Sequence, residues 1–298
     1  MYNIRKKLWI LTTLLFFLAS VLSWIFPEKD EYVPADVQVN TATGQQTDII
    51  SVFSGNDSVR FVAHRGYSDY APENSIPAFE FAGRMGFWGI ETDIQETSDG
   101  AFVCIHDETL DRTTDGEGNV TGFTLEELNE YSIDSGNYVR RTENRKIPTF
   151  EEYLDICAEY GCAAVIEIKA VKNYDAVLSI IYEHGMDDKC VITGATAVLE
   201  EIRSRDSKIP VFGIGYYPDD YEYNMEEIEG IEGERGVLYN YPQVDKYAVK
   251  ALHDRGMYCA VWSVDREDIA REYISYGVDF IVTNGIPARL EHMVNENE

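Results

Sequence analysis

Five short apolar runs in this chain end in side chains able to handle charge. His64-Arg65-Gly66 follows residues 60–63, and Glu91-Thr92-Asp93 lies within residues 88–93. His106-Asp107 comes at the end of 102–106, Glu167-Ile168-Lys169 at the end of 164–168, and Trp262 ends 258–262. Glu91 and Asp93 are two residues apart, so they share one face of a strand. Glu167 stands likewise on a later run. Three acidic oxygen donors suit a hard divalent cation, Ca²⁺ or Mg²⁺, better than Zn²⁺. A solvated sheet edge also carries carboxylates, but Trp88, Ile90 and Ile94 flank this pair with apolar surface, where unpaired charge is costly. His64 and His106 supply two imidazoles for general acid and general base work near neutral pH. Arg65 and Lys169 offer a planar fork and a point charge for a phosphoryl group. His184, His253 and His292 sit in polar helical or terminal contexts and read as structural.

Such groups converge only if strand ends converge. From Phe61 on, nine β-branched or aromatic runs alternate with helical patterns: 60–63, 88–93, 102–106, 164–168, 190–193, 211–215, 237–240, 258–262 and 279–283. Ser75 can cap a helix, and Thr124 and Thr149 each have a glutamate three residues on, a capping box. Further helices fit 174–184, 195–204, 245–255 and 266–276. This alternation indicates a parallel α/β domain. The expected fold is a (β/α)₈ TIM barrel, with a doubly wound open sheet second. Nine runs are one too many for eight strands. The second and third are separated only by residues 94–101, too few for a parallel crossover. Asp99-Gly100 signals a hairpin instead, so one strand should be antiparallel or extend beyond the rim, with position 106 opposite position 93. Side chains at C-terminal strand ends of a barrel gather into one site.

The stretch HRGYSDYAPENSIPAFEFAGRMGFWGIETDIQETSDGAFVCIHDETLDRTTDGEGNV closely resembles the start of the glycerophosphodiester phosphodiesterases, and IEIK and AVWSVD resemble later landmarks. The likeness runs from about Phe61 to Leu290. It implies a metal-dependent barrel, with a small insertion after the H-D strand that residues 107–148 fit. It implies His64 and His106 as the acid/base pair, Arg65 as a phosphate clamp, Glu91, Asp93 and Glu167 as metal ligands, and Lys169 as a substrate contact. Asn74, in the P-E-N motif, matches a position that helps order the site, and Trp262 joins the substrate-binding set. The implied reaction is hydrolysis of a glycerophosphodiester to glycerol phosphate and an alcohol. Cleavage of intact lipid in the manner of a phosphatidylinositol phospholipase C, or a non-catalytic tethered binding protein, are the alternatives. Two elements depart from the pattern: W-T-V-N reads Trp262-Ser263-Val264-Asp265, and T-D-x-P reads Thr283-Asn284-Gly285-Ile286-Pro287.

The chain has 25 Lys+Arg against 53 Asp+Glu, a net charge of −28, which argues against nucleic acid as a partner. At its N-terminus Arg5-Lys6-Lys7 precede residues 8–26, which carry no charge and as a helix would span roughly 28 Å, near the hydrocarbon thickness. The run outlasts a signal h-region and lacks a good cleavage site. Residues 1–30 are therefore expected to be a cytoplasmic tip and single-pass cell-membrane anchor. Residues 31–59 are an extracytoplasmic tether, and 60–298 the extracytoplasmic barrel. Five cysteines without metal spacing read as buried thiols, with a Cys157–Cys162 bridge open. Residues 216–234 hold eight acids, four tyrosines and no Lys or Arg. They read as a solvated acidic face, or as a lip at which Tyr216, Tyr217, Tyr221 and Tyr223 meet a quaternary ammonium or amine head group.

Overall fold

Eight parallel strands close into a barrel. The structure, a computed structural model, describes residues 59–137, 139, 145–215 and 221–286; of Tyr221 and Tyr223 only the backbone is described. The anchor, nearly all of the tether, Tyr216 and Tyr217 lie outside the described residues. The strands are β1 (Arg60–Ala63), β2 (Gly89–Glu96), β3 (Phe102–Cys104), β4 (Ala163–Ala170), β5 (Cys190–Gly194), β6 (Val211–Gly215), β7 (Arg235–Asn240), β8 (Tyr258–Trp262) and β9 (Phe280–Thr283). They run in the order β1-β9-β8-β7-β6-β5-β4-β2, and a β1–β2 pairing closes the ring. The ninth run is β3, which pairs antiparallel with the far half of β2 alone.

The β2–β3 register differs by one residue from the expected one. Ile94 pairs with Cys104, and Ile105 N donates to Asp93 O, so position 105 rather than 106 lies opposite Asp93. The cause is the turn. Thr97 and Ala101 bond to each other across a five-residue loop, Thr97 Oγ1 accepts from Ala101 N, and Gly100 takes φ +88°. The hairpin is centred on Asp99 instead of between Asp99 and Gly100. His106 therefore leaves the strand and heads a loop.

Helices α1 (Ile76–Met85), α2 (Phe150–Tyr160), α3 (Tyr174–Glu183), α4 (Thr196–Arg205), α5 (Tyr221–Glu229), α6 (Lys246–Asp254) and α7 (Glu267–Tyr276) follow the strands. The Ser75 cap of α1 and the Thr149–Glu152 capping box of α2 form as expected, as does the Thr124–Glu127 box on a single helical turn. The barrel interior is filled by Val62, Val165, Val191, Phe212, Leu238, Ala260, Phe280 and Val282. The opposite faces of the strands pack under the helices. All five cysteines are buried free thiols, Cys157 and Cys162 included. In α5, Asn224, Met225 and Ile228 are buried while Glu222, Glu226, Glu227 and Glu229 face solvent. That is the pattern of an ordinary solvated helix face. Residues 103–147 build a second small core from Val103, Ile105, Leu110, Val120, Leu128, Ile133 and Ile147. This segment sits on β3 beside the strand ends.

Candidate active site

Glu91 and Asp93 point from β2 into the barrel mouth, 4% and 1% exposed. Glu167 is the direct neighbour of Asp93 across the β2–β4 ladder. One oxygen from each of the three carboxylates lies within 4.8 Å of the others. Burial, and then the nearby charges of Asp93 and Glu167, push the Glu91 carboxyl well above its usual range. Burial and Asp93 push Glu167 up as well. Such crowding of like charge is what a bound divalent cation offsets. Asp93 Oδ1 is buried and takes no hydrogen bond among the described residues, with Lys169 Nζ 3.5 Å away, so a lone pair there is available to an ion. The donor set is all oxygen and fits Ca²⁺ or Mg²⁺. Tyr153 of α2 fixes the strand below, its buried hydroxyl donating to Ile90 O at 2.6 Å.

Two cations share this space. Arg65 N donates to Glu91 Oε2 at 2.7 Å, its Nη1 to Glu73 Oε1 at 2.8 Å, and its Nε lies 3.4 Å from Asp93 Oδ2. Lys169 Nζ lies 3.5 Å from Asp93 Oδ1 and pairs closely with Glu167. Between Ile94 and Gln95 the β2–β4 register shifts, leaving Lys169 unmatched. A bulge of this kind re-aims a side chain over the site. Backbone strain marks the same corner. Arg65 (φ +55°) and Asn74 (φ +49°) both adopt the left-handed conformation, linked by Asn74 N donating to Arg65 O. Asn74 Nδ2 then donates to Asp93 Oδ2 at 2.9 Å, and its Oδ1 accepts from Thr92 Oγ1 at 2.7 Å. Asn74 thus orients a carboxylate of the cluster.

The two histidines approach from different elements. His64 follows β1, and its Nδ1 lies 2.8 Å from Asn284 Oδ1. Burial, and then the Arg65 charge, lower its pKa, which favours the neutral ring. His106 stands at the head of the loop leaving β3, with Nδ1 2.7 Å from Asp107 Oδ1. The ring is close enough to Glu167 to act on that carboxyl. Trp262, at the end of β8, has its ring 6.4 Å from that of His64. Its buried Nε1 has no hydrogen-bond partner among the described residues. The structure therefore brings all nine sequence-derived residues to the C-terminal strand ends and the loops that follow them.

Four further residues hold the site and were given no role by sequence reasoning. Gln95 Nε2 donates to the carbonyls of Ile105 and Asp107, tying down the His106 loop. Arg112, from the added segment, forks onto Asp107 and Glu73 with four contacts of 2.6–2.9 Å. The Arg112 hydrogen bond holds Asp107 well below the carboxylate range. Against the effect of its burial, hydrogen bonds from Arg112 and Arg65 bring Glu73 down to about 2. Glu73 is the third of these residues, and Asn284, which faces His64 Nδ1, is the fourth. The P-E-N and H-D motifs were the available signal for this network, since Glu73 and Asp107 lie inside them.

Residues 64–287 match the model of the glycerophosphoryl diester phosphodiesterase family. A glycerophosphodiester phosphodiesterase of Caldanaerobacter subterraneus is 32% identical over 244 residues, covering 79% of this chain and 97% of its own. One from Bacillus subtilis is 26% identical, covering 76% and 84%. Among solved structures, an Oleispira antarctica phosphodiesterase in complex with the product sn-glycerol-3-phosphate superposes with a TM-score of 0.71 at 22% identity, over 79% of this chain and 96% of that one.

Proposed function

The chain belongs to the glycerophosphoryl diester phosphodiesterase family and is an enzyme of that class, and from this premise we propose that it hydrolyses glycerophosphodiesters to glycerol phosphate and an alcohol using one divalent cation. The observation that carries the reading is the meeting of Glu91, Asp93 and Glu167 with two histidines, each of which has Nδ1 engaged by a neighbour. Glu91, Asp93 and Glu167 would hold the ion, which supplies electrostatic stabilisation of charge developing on the phosphoryl oxygens.

The remaining chemistry belongs to this chain's side chains. His64 is neutral and accepts the proton of the attacking oxygen, a water or the glycerol hydroxyl. The oxygen bonds to phosphorus, the bond from phosphorus to the alcohol oxygen breaks, and His106 returns a proton to the departing alcohol. Where the glycerol hydroxyl attacks, the product is a cyclic phosphate, and a water then bonds to phosphorus as the ring P–O bond breaks and the glycerol oxygen is reprotonated. Arg65 and Lys169 contact the phosphoryl oxygens, as fork and point charge. Asn74 orders the carboxylates. Trp262 offers its free indole N–H to the substrate beside His64.

The test is turnover by the full chain on glycerophosphocholine, glycerophosphoethanolamine and glycerophosphoglycerol, with EDTA and then Ca²⁺ or Mg²⁺ restored. Activity should vanish with chelator and return with metal, and His64→Ala and His106→Ala should each lose about 10²–10⁴-fold. Chelator-insensitive turnover would remove the metal from the scheme. Faster cleavage of intact phosphatidylinositol would replace the substrate class.

We also propose that the enzyme lies outside the cell membrane, held by residues 8–26 as an uncleaved single-pass anchor with a cytoplasmic N-terminus. Its support is the uncharged stretch and the Arg5-Lys6-Lys7 flank. The full chain should fractionate with membranes, and a chain lacking residues 1–30 should not; co-sedimentation of both would count against the anchor.

A further inference from the structure

His64 is held by more than its own strand. Its Nδ1 faces Asn284 Oδ1 at 2.8 Å. The other end of the same amide, Nδ2, donates to Asp265 Oδ2 at 2.7 Å, and the backbone N of Asn284 donates to Asp265 Oδ1 at 2.7 Å. A carboxylate only accepts, so the Asn284 atom facing it has to be the NH₂ group. Turning the amide over would set oxygen against oxygen. Its Oδ1 therefore faces the imidazole, and a carbonyl oxygen also only accepts. The ring must carry its proton on Nδ1, which leaves the lone pair of the neutral form on Nε2.

The surroundings keep this chain of bonds in place. Asp265 follows β8 and Asn284 follows β9, and Val264 N donates to Val282 O across the gap. Asp265 Oδ1 also accepts from Thr283 Oγ1 at 3.1 Å. The Asn284 carbonyl accepts from Asp69 N, and Tyr67 OH donates to the next carbonyl, that of Gly285. Ser68 Oγ lies 3.0 Å from both Asn284 Oδ1 and His64 O, so its hydroxyl fits either acceptor. Asp265 itself is exposed and Asn284 partly buried, so these bonds act by direction more than by depth. Against the W-T-V-N and T-D-x-P elements, amide and carboxylate have traded places here. The exchange still sets one donor against one acceptor.

We infer that Asn284, oriented by Asp265, is a positioning residue for His64: together they select the Nδ1–H tautomer and present Nε2 to the reacting oxygen. The inference rests on the reading of His64 as an acid/base group. Its test uses the full chain carrying ¹⁵N-labelled histidine. In the neutral wild-type ring, the His64 signals should show Nδ1 protonated and Nε2 bare. Asn284→Ala should lose that preference, lowering kcat by about tenfold while KM stays within about twofold. Asn284→Asp sets two carboxylates face to face and should lose as much. Adding Asp265→Asn to it restores a donor opposite an acceptor and should bring kcat to within about threefold of wild type. An unchanged tautomer and kcat in Asn284→Ala would overturn the inference, and so would a double exchange no better than Asn284→Asp alone. His64→Ala tells the two readings apart. If it retains wild-type turnover, the acid/base role fails; if it loses turnover while Asn284→Ala does not, only the positioning role fails.

Discussion

Glu73 lies between two guanidinium groups, and replacing it by glutamine isolates what its charge contributes. Its Oε1 accepts from Arg65 and Arg112, and its Oε2 from Arg112. The carboxyl is held at about 2, against an ordinary 4.5. That difference corresponds to about 3 kcal/mol favouring the charged form in the folded chain. The Glu73 side chain is 23% exposed and that of Arg112 46%, so screening reduces the figure to about 2 kcal/mol. The folded-state pKa is depressed, so the contribution is complete above about pH 4.5 and is lost as pH falls toward 2. Glu73→Gln keeps the volume and one acceptor. Urea unfolding followed by tryptophan fluorescence should show it less stable by about 2 kcal/mol at pH 7. The two curves should draw together between pH 5 and pH 3. A gap of equal size at pH 3 would mean that packing rather than charge sets the difference. No gap at pH 7 would mean that the arginines are equally well placed without it.

Two further outcomes follow from the site. Glu91 is buried beside two other acids with its carboxyl pushed well up, and a raised carboxyl costs stability once pH exceeds the unfolded value. Glu91→Gln should therefore melt higher than wild type in EDTA at pH 7, yet gain less from added Mg²⁺ or Ca²⁺ and turn over at least about 100-fold more slowly. A lower melting temperature in EDTA would contradict that account. Gly66 has φ +76°, and a Cβ there would lie 2.7 Å from the backbone and side chain of Ala78. Gly66→Ala should lower stability by about 2–4 kcal/mol in urea and displace the adjoining Arg65; a wild-type midpoint would show that α1 can retreat.

Much of this site is visible before folding because its donors sit on strands. A two-residue spacing places Glu91 and Asp93 on one face whatever the loops do, and a short gap to the next run demands an antiparallel hairpin. Register is another matter. The Asp-Gly pair marks a turn, but Thr97 closing on Ala101 moves its centre, and one residue decides whether His106 is in the strand or beyond it. What stayed hidden is the set of contacts between distant segments. Arg112 reaches Glu73 across 39 positions and Asn284 reaches His64 across 220. Neither residue has a periodicity to announce it, and nothing in chain order says what either one touches. Asp265 and Asn284 stood out only as departures from a pattern, and their common meaning appears once β8 and β9 lie side by side.

The bond between His64 and Asn284 joins the first barrel strand to the last. Both histidines, all three carboxylates, Arg65 and Lys169 lie before residue 170, so a nascent chain carries them well before β9 is made. The imidazole of His64 acquires its partner only when β9 docks against β1 and the ring shuts, a contact across 220 positions and among the slowest kinds to form. A partly made barrel, its seam still open, would hold the groups of the site without the partner that orients His64.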